Sequence, residues 1–155
     1  RCRLLDTRKT TPGLRRLEKA AVLAGGGHNH RMGLFDGILI KDNHIAAVGS
    51  VRRAVERAKR FAPATIKVEV ECKKLSQVRQ ALEAGADMIM LDNMPTGKMS
   101  RAVEIVGGRV PLEASGNVTL ENVRQVALTG VDYVSVGAIT HSAPSADISM
   151  EFETR

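Results

Sequence analysis

The stretch Asp6-Thr7-Arg8-Lys9-Thr10-Thr11-Pro12-Gly13 separates a short apolar segment from a helical one, and it decides how the chain is interpreted. The two leucines before it predict the end of a strand. Pro12 is favoured at a first helical position and the preceding threonine is a good N-cap, so we predict a helix from there. Arg8 and Lys9 lie on the turn between strand and helix. Such a cationic turn favours an anion, although a solvated basic turn is the alternative.

Strands and helices alternate along the whole chain, with short loops and no low-complexity linker. Apolar runs predict strands at 4–5, 38–40, 66–72, 88–91, 110–114 and 133–136, and the tail at 148–152 is compatible with one more. Helical periodicity predicts helices at 12–24, 51–62, 75–84, 99–106 and 120–128. The predicted apolar face of the first helix consists of Leu14, Leu17, Ala20, Ala21 and Leu23. This alternation implies parallel strands joined by right-handed crossovers. Either an open doubly wound sheet or a barrel would fit. We favour an incomplete or small α/β barrel, because polar residues follow nearly every strand.

Composition narrows the class of protein. The chain has 155 residues, enough for one domain with a sizeable core, and a formal net charge of +6. Much of that charge recurs at helical spacing over 52–60, which predicts a solvated helix face. One Tyr, three Phe and no Trp argue against a base-stacking nucleic-acid module. No segment is apolar for long enough to span a membrane. Two cysteines are too few for a disulfide framework, so we expect a reducing, cytoplasmic location.

Two carboxylates at neighbouring strand ends are the candidate metal ligands. Strand alternation places Glu69 and Glu71 on one face of the strand at 66–72, and Asp92 ends the next strand. Mg²⁺ takes one or two carboxylates and leaves its other positions to water and substrate phosphates. An internal salt bridge to Lys67 or Arg8 is an equally open interpretation of Glu71 and Asp92. Glu69 lies one layer deeper, and we predict that it pairs with Lys67.

Basic and glycine-containing strand ends complete the candidate site. His30-Arg31 is typical of an anion pocket, in which the arginine grips a carboxylate with two hydrogen bonds. A His28-x-His30 metal pair is a weaker alternative. The charge of Lys41, which follows a fully apolar strand, must emerge at the pocket or be paired. Ser115-Gly116-Asn117 and Gly137-Ala138 are similar to the phosphate-binding last loops of a barrel, although each short glycine turn alone is weak evidence.

The order of these motifs resembles one known family. The motifs are those at 6–13, 30–34, 40–44, 68–71, 91–93, 113–116 and 136–141, and the stretches Asp-Thr-Arg-Lys-Thr and Lys-Asp-Asn-His are the most specific. They follow one another as in the quinolinate phosphoribosyltransferases, over essentially the whole chain. The resemblance implies a seven-stranded open α/β barrel, the type II phosphoribosyltransferase fold. It implies a glycosyltransferase that converts quinolinate and phosphoribosyl pyrophosphate, with Mg²⁺, to nicotinate mononucleotide, pyrophosphate and CO₂ in NAD biosynthesis.

The resemblance also implies roles for individual residues. Quinolinate and phosphoribosyl pyrophosphate would be held by Arg8, Lys9, Thr10, His30, Arg31 and Lys41. The catalytic set would be Lys9, Lys41, Glu71 and Asp92, of which Glu71 and Asp92 would also hold the metal. The 5′-phosphate would be bound by Ser115, Gly116, Asn117, Val136, Gly137 and Ala138.

Two departures from the family pattern affect the interpretation. Asn117 stands where many members have a second glycine, and we expect little effect. The family's N-terminal domain is absent from residues 1–155, which are expected to be the barrel domain of a longer protein that forms a homodimer or higher homo-oligomer. A sister enzyme for nicotinate or another ring acid, and a non-catalytic barrel fragment, are the alternatives.

Overall fold

A single parallel sheet forms the centre of the computed structural model, which describes residues 2–153. Its strands are β1 (Arg3–Leu5), β2 (Ile38–Ile40), β3 (Val68–Cys72), β4 (Met88–Asp92), β5 (Leu112–Ser115) and β6 (Tyr133–Ser135). They are hydrogen-bonded in the order β1-β6-β5-β4-β3-β2, and every pair is parallel. The parallel α/β architecture predicted from the alternation of elements is therefore confirmed.

Helices connect the successive strands. They are α1 (Arg15–Ala24), α2 (Asp42–Val48), α3 (Val51–Phe61), α4 (Leu75–Glu83), α5 (Thr96–Val106), α6 (Val123–Ala127) and α7 (Ala138–His141). The sequence did not predict α2 and α7, since helices of seven and four residues are too short to show periodicity. Among the described residues, no helix combines the length and apolar character needed to cross a membrane.

The number of strands differs from the seven that the resemblance implies. The described part of the chain contains six, with β1 and β2 at the two edges of the sheet. The tail at 148–152 forms no strand, and its apolar residues are exposed, with Ile148 at 85% and Phe152 at 83%. With its apolar side chains in solvent, the segment gains no apolar burial that would stabilise a strand.

One face of the sheet forms the hydrophobic core against the helices. Val68, Val70 and Cys72 alternate along β3 and are completely buried, as predicted for that face of the strand. Their neighbours on β4 and β5 pack with them against α3, α4 and α5. The arginines and lysines of α3 point to solvent, as expected. Because α3, α4 and α5 pack on this face, the opposite face of the sheet is available to line a cavity.

The start and the buried face of α1 differ from the prediction. The helix begins at Arg15, because Pro12 and Gly13 form a turn in which Gly13 adopts a φ of +81°. Its leucines are exposed, with Leu17 at 70%, whereas Val22 is buried and Lys19 is only 1% exposed. A buried lysine is rare unless it is paired, so its partner determines which face of α1 turns inward.

That partner is Asp6, which is itself 0% exposed at the end of β1. Lys19 Nζ donates to Asp6 Oδ1 and also to the carbonyl of His30, at 3.0 Å. The backbone N–H of His30 donates to the same Asp6 oxygen at 2.8 Å. The pair therefore joins three segments that are distant in sequence: the end of β1, the helix α1 and the loop at residues 28–31.

Removing one partner of this buried pair should destabilise the fold strongly. Lys19→Met leaves a buried carboxylate without its cation, and we expect the free energy of unfolding to fall by about 3–5 kcal/mol. Lys59→Met removes the cation from the partly exposed Lys59–Asp87 pair and is the matched control, expected to cost no more than about 1 kcal/mol. Urea unfolding measures both. Similar losses for the two variants would contradict the assigned role of Asp6–Lys19.

Candidate functional site

A cavity of about 700 Å³ opens at the carboxyl ends of the strands, on the face of the sheet away from the helices. Its lining includes every residue predicted for the site except Thr10, namely Arg8, Lys9, His30, Arg31, Lys41, Glu71, Asp92, Ser115, Gly116, Asn117, Val136, Gly137 and Ala138. Thr10 is instead held by Arg15, whose Nε donates to its hydroxyl at 3.0 Å. Residues far apart in sequence are thus brought to one concave surface, the arrangement expected of a binding site.

Strand register explains why these side chains meet. Asp92 on β4 pairs in register with Ser115 on β5, which pairs in turn with Ser135 on β6. One layer deeper, Met90 on β4 pairs with Glu113 on β5. Because side chains alternate between the two faces of a strand, the polar residues share the cavity face while apolar residues between them enter the core. The cavity consequently has a polar rim and a mixed floor.

Four cations lie on one side of the cavity: Arg8, Lys9, Arg31 and Lys41. Burial and the neighbouring charge of Arg8 lower the pKa of the Arg31 guanidinium from its ordinary value. Arg31 Nη1 donates to the Gly37 carbonyl at 2.7 Å, and this hydrogen bond fixes the position of the guanidinium. Arg8 Nε is buried and has no hydrogen-bond partner in the part of the chain that the structure describes. Two arginines held close together, with donors unused, form a surface that suits an anionic ligand carrying more than one charge.

Glu71 and Asp92 form an acidic pair opposite these cations. Burial, and secondarily the charge of Asp92, raise the pKa of Glu71 from its ordinary value. Lys41 Nζ approaches Glu71 at 4.0 Å, and Lys73 Nζ approaches Asp92 at 3.9 Å. No bridge to Lys67 or Arg8 forms among the described residues. Two mutually repelling carboxylates with only distant cations fit the hard-oxygen donor set of Mg²⁺.

The prediction that Glu69 pairs with Lys67 is wrong. Lys67 precedes β3, whereas Glu69 is buried against the loop at 28–31, with its Oε2 at 3.0 Å from His30 Nε2. Glu113 Oε2 lies 3.5 Å from the same nitrogen. Burial lowers the pKa of His30, but the two glutamates outweigh it and the net shift is upward. Burial and the Glu69 charge raise the pKa of Glu113 to about 8. His28 is exposed, and it lies outside this cluster.

The loop after β5 is tightly apposed to the loop after β4. Gly116 has a φ of +98°, and a Cβ there would lie 2.2 Å from Asn93 Oδ1. Asn93 Nδ2 donates to Asp92 at 2.8 Å, and Asn117 Nδ2 donates to Asn93 Oδ1 at 3.0 Å. A chain of amides therefore joins the acidic pair to the predicted phosphate loop.

Sequence reasoning missed several residues of the cavity. They are Thr7, Leu39, Met90, Asn93, Glu113, Val118, Ser135 and His141. Glu113 and Ser135 were detectable, since each occupies the cavity-facing position two residues from a predicted site residue on the same strand or loop. His141 lies on the unpredicted helix α7, close to Gly137.

Comparison with known proteins relates this chain to one family. Residues 1–151 match the domain family described as "Quinolinate phosphoribosyl transferase, C-terminal domain". The chain is 51% identical over 149 residues to the probable nicotinate-nucleotide pyrophosphorylase [carboxylating] of Bacillus subtilis, a match that covers 96% of this chain and 52% of that protein. It is similarly 46% identical to a Nicotiana tabacum protein named quinolinate phosphoribosyltransferase [decarboxylating] 2a, mitochondrial, covering 97% of this chain and 48% of that one. The chain spans about half the length of the curated relatives it matches.

Solved structures give the same relationship. NadC from Streptococcus pyogenes superposes with a TM-score of 0.87 at 46% identity, over 97% of this chain and 53% of that one. A NadC deletion mutant superposes with a TM-score of 0.94 at 48% identity, over 98% and 54%. Thiamine phosphate pyrophosphorylase from Pyrococcus furiosus, at 17% identity and a TM-score of 0.58, shares the fold alone.

The close approach of Gly116 to Asn93 predicts a cost for the smallest side chain. Gly116→Ala combines left-handed backbone strain with overlap, and we expect a loss of about 1–3 kcal/mol in stability. The matched control is Gly97→Ala in α5, where a Cβ meets nothing within 4 Å and where alanine should stabilise by up to about 1 kcal/mol. Thermal denaturation distinguishes them. A Gly116→Ala protein as stable as the parent would show that the apposition of the two loops is not constrained.

Proposed function

Since this chain belongs to the quinolinate phosphoribosyltransferase family, as its C-terminal domain, we propose that it carries the active site of that enzyme. The reaction joins quinolinate to phosphoribosyl pyrophosphate with Mg²⁺ and yields nicotinate mononucleotide, pyrophosphate and CO₂, a step of NAD biosynthesis. One observation carries the proposal. A single cavity brings together four cations, an acidic pair and two glycine loops, the groups that a diacid and a polyphosphate require.

We assign the cations to the two substrates. Arg8 and Arg31 lie close enough to influence one another, and they would hold the adjacent carboxylates of quinolinate. Lys9 and Lys41 would face the pyrophosphate and stabilise its charge as it leaves. The paired arginines favour quinolinate over nicotinate, because a monoacid does not repay the cost of holding two cations together.

The acidic pair and the glycine loops would hold the ribosyl substrate. Glu71 and Asp92 supply carboxylate oxygens for Mg²⁺ and acceptors for the ribose hydroxyls. Mg²⁺, when bound, would neutralise developing charge on the pyrophosphate. The loop at 115–117 and the turn at 136–138 would surround the 5′-phosphate, with Gly116 allowing its close approach. These contacts would hold the ribose carbon next to the pyridine nitrogen. Holding the two reacting atoms together in this way lowers much of the activation barrier.

The ribosylated ring then favours loss of CO₂. Once its nitrogen carries the ribose, the ring is cationic and stabilises the electron pair left on the adjacent carbon when the carboxylate departs. A proton replaces the CO₂ at that carbon. The charged cavity walls keep the second carboxylate in place during this step.

The finer architecture belongs to the same proposal. We propose that the parallel sheet curves as an open α/β barrel, and that the whole protein acts as a homodimer or higher homo-oligomer with a further domain over the cavity. The exposed leucines of α1 support an additional contact on that side. The free thiols of Cys2 and Cys72 support a reducing, cytoplasmic location.

Ligand-dependent melting tests the substrate assignment directly on this chain. In the presence of Mg²⁺ and phosphoribosyl pyrophosphate, quinolinate should raise the Tm and nicotinate should not. A ligand at about a hundred times its Kd stabilises the native state by roughly 2.7 kcal/mol, a readily measured shift. A rise with nicotinate alone would favour the sister enzyme. A cooperative melt that neither acid changes would favour a non-catalytic fragment.

Arg31→Ala should selectively impair use of quinolinate. Loss of a charge-pair partner is worth about 2–4 kcal/mol, so kcat/KM for quinolinate should fall by roughly 30-fold to 1,000-fold. The measurement is CO₂ release by the protein that includes the family's N-terminal domain. Arg53→Ala, on the exposed face of α3, is the control and should leave kcat/KM unchanged. An Arg31→Ala value within threefold of the parent would contradict the pocket assignment.

A further inference from the structure

Two buried glutamates, one lining the cavity and one beneath it, are not used by the proposed reaction. Glu113 on β5 is 0% exposed and Glu69 on β3 is 6% exposed. Their carboxylate oxygens and His30 Nε2 lie within 4.8 Å of one another. Glu69 Oε1 and both oxygens of Glu113 are buried, with no hydrogen-bond partner within residues 2–153. The cluster therefore has more acceptors than donors, an expensive arrangement in a buried site.

The neighbouring histidine supplies only one of the missing donors. The backbone N–H of Arg31 donates to His30 Nδ1 at 2.7 Å, so Nδ1 carries no proton. The ring proton is then on Nε2, which donates to Glu69 Oε2. A second proton on this ring would have to occupy Nδ1, against the N–H of Arg31. In this geometry the ring offers the cluster one donor, on Nε2, which serves only one of the four carboxylate oxygens.

The groups facing Glu113 come from three elements: Glu69 on β3, His30 in the loop and Ser135 on β6. Met90, its register partner on β4, does not titrate. His30 is the basic group among them, and its ring donates through Nε2 to Glu69. Two ionised carboxylates this close in a buried site repel strongly, and one of them retains a proton in such pairs. Glu113 is the more deeply buried of the two, and Glu69 Oε2 already accepts from His30, so the proton belongs on Glu113.

We propose that Glu113 is a neutral carboxylic acid that donates its proton to Glu69, and that the chain Glu113–Glu69–His30 positions Arg31 in the cavity. Glu69 holds the His30 ring, and Nδ1 of that ring holds the Arg31 backbone. His30 is also fixed through its own N–H and carbonyl by Asp6 and Lys19. Glu113, Glu69 and His30 are thus positioning residues. Their effect on quinolinate rests on the proposed function, whereas the protonation of Glu113 does not.

The protonated acid has a direct spectroscopic signature. A neutral carboxylic acid has an infrared C=O band that is separate from carboxylate bands. We expect this band in the parent chain at neutral pH and its loss in Glu113→Gln. Absence of a band that depends on Glu113 would overturn the proposal. The measurement needs neither substrate nor activity, so it gives an answer even if the proposed function fails.

Isosteric replacement tests the positioning role. Glu113→Ala removes the donor to Glu69, and we expect KM for quinolinate to rise at least tenfold with a smaller change in kcat. Glu113→Gln restores a neutral donor and should return KM to within threefold of the parent. Glu69→Gln should raise KM as Glu113→Ala does, since it removes the charged acceptor of His30. Failure of Glu113→Gln to fold, or a KM as high as that of Glu113→Ala, would overturn the proposal.

A divalent cation in the cluster is the competing explanation of the unpaired oxygens. In that case both glutamates would be ionised, and both Gln variants would lose the ion. Zn²⁺ that raises the Tm of the parent and of neither variant would establish this and overturn the proposal. An equal effect of Zn²⁺ on all three proteins supports a neutral Glu113.

Stability should depend on pH in a way that identifies Glu113. The native chain retains the proton up to a pKa of about 8, whereas an unfolded glutamic acid releases it near 4.5. The native state therefore binds more protons over this range, and stability falls as pH rises through it. The difference in Tm between Glu113→Gln and the parent should grow in favour of the variant from pH 5 to about 8. A difference that does not vary with pH would count against a proton on Glu113.

Discussion

The buried ion pair between Asp6 and Lys19 is the interaction on which the rest of the site depends. Burying a charged side chain costs desolvation free energy. An oppositely charged partner and further hydrogen bonds compensate this cost. Here the same two side chains also bind the backbone of His30 on both sides of its Cα. The ends of β1 and of the loop at 28–31 are thereby fixed relative to each other. Arg8 and Arg31 lie just after these two fixed segments in the chain. The distance between the arginines is therefore set by Asp6 and Lys19, which do not line the cavity themselves.

The alternation of side chains along parallel strands provides the second constraint. On β3, apolar residues pack against the helices, while Glu71 lines the cavity and Glu69 contacts His30. The same pattern on β4 and β5 places Asp92, Glu113 and Ser115 around one opening. A shift of one residue in any strand would exchange the two sets, burying charge in the core and removing the site. Core packing and site geometry are therefore enforced by the same register.

Much of this arrangement could be predicted from sequence, and the failures have physical causes. Apolar runs located all six strands, and convergence of their carboxyl ends brought Arg8, Lys41 and Glu71 together as expected. The buried face of α1 was predicted wrongly, because its leucines suggest a core that Lys19 occupies instead. That orientation depends on Asp6, thirteen residues earlier, and no local pattern reveals it. The partner of Glu69 was missed for the same reason, since His30 is 39 residues away. Pairings between polar residues that are distant in sequence depend on the tertiary structure. Hydrophobic periodicity is a local pattern and carries no information about them.

The contact between Gly116 and Asn93 has a consequence for how the sequence can change over time. A side chain at 116 collides with the amide at 93, whereas a shorter residue at 93 would remove the collision and leave only backbone strain. The effects of the two substitutions are thus not additive, as is usual for residues in contact. A side chain at position 116 is tolerated better once position 93 carries a shorter residue, so the order of the two substitutions matters. The two loops, separated by a whole β-α unit, must therefore evolve as one.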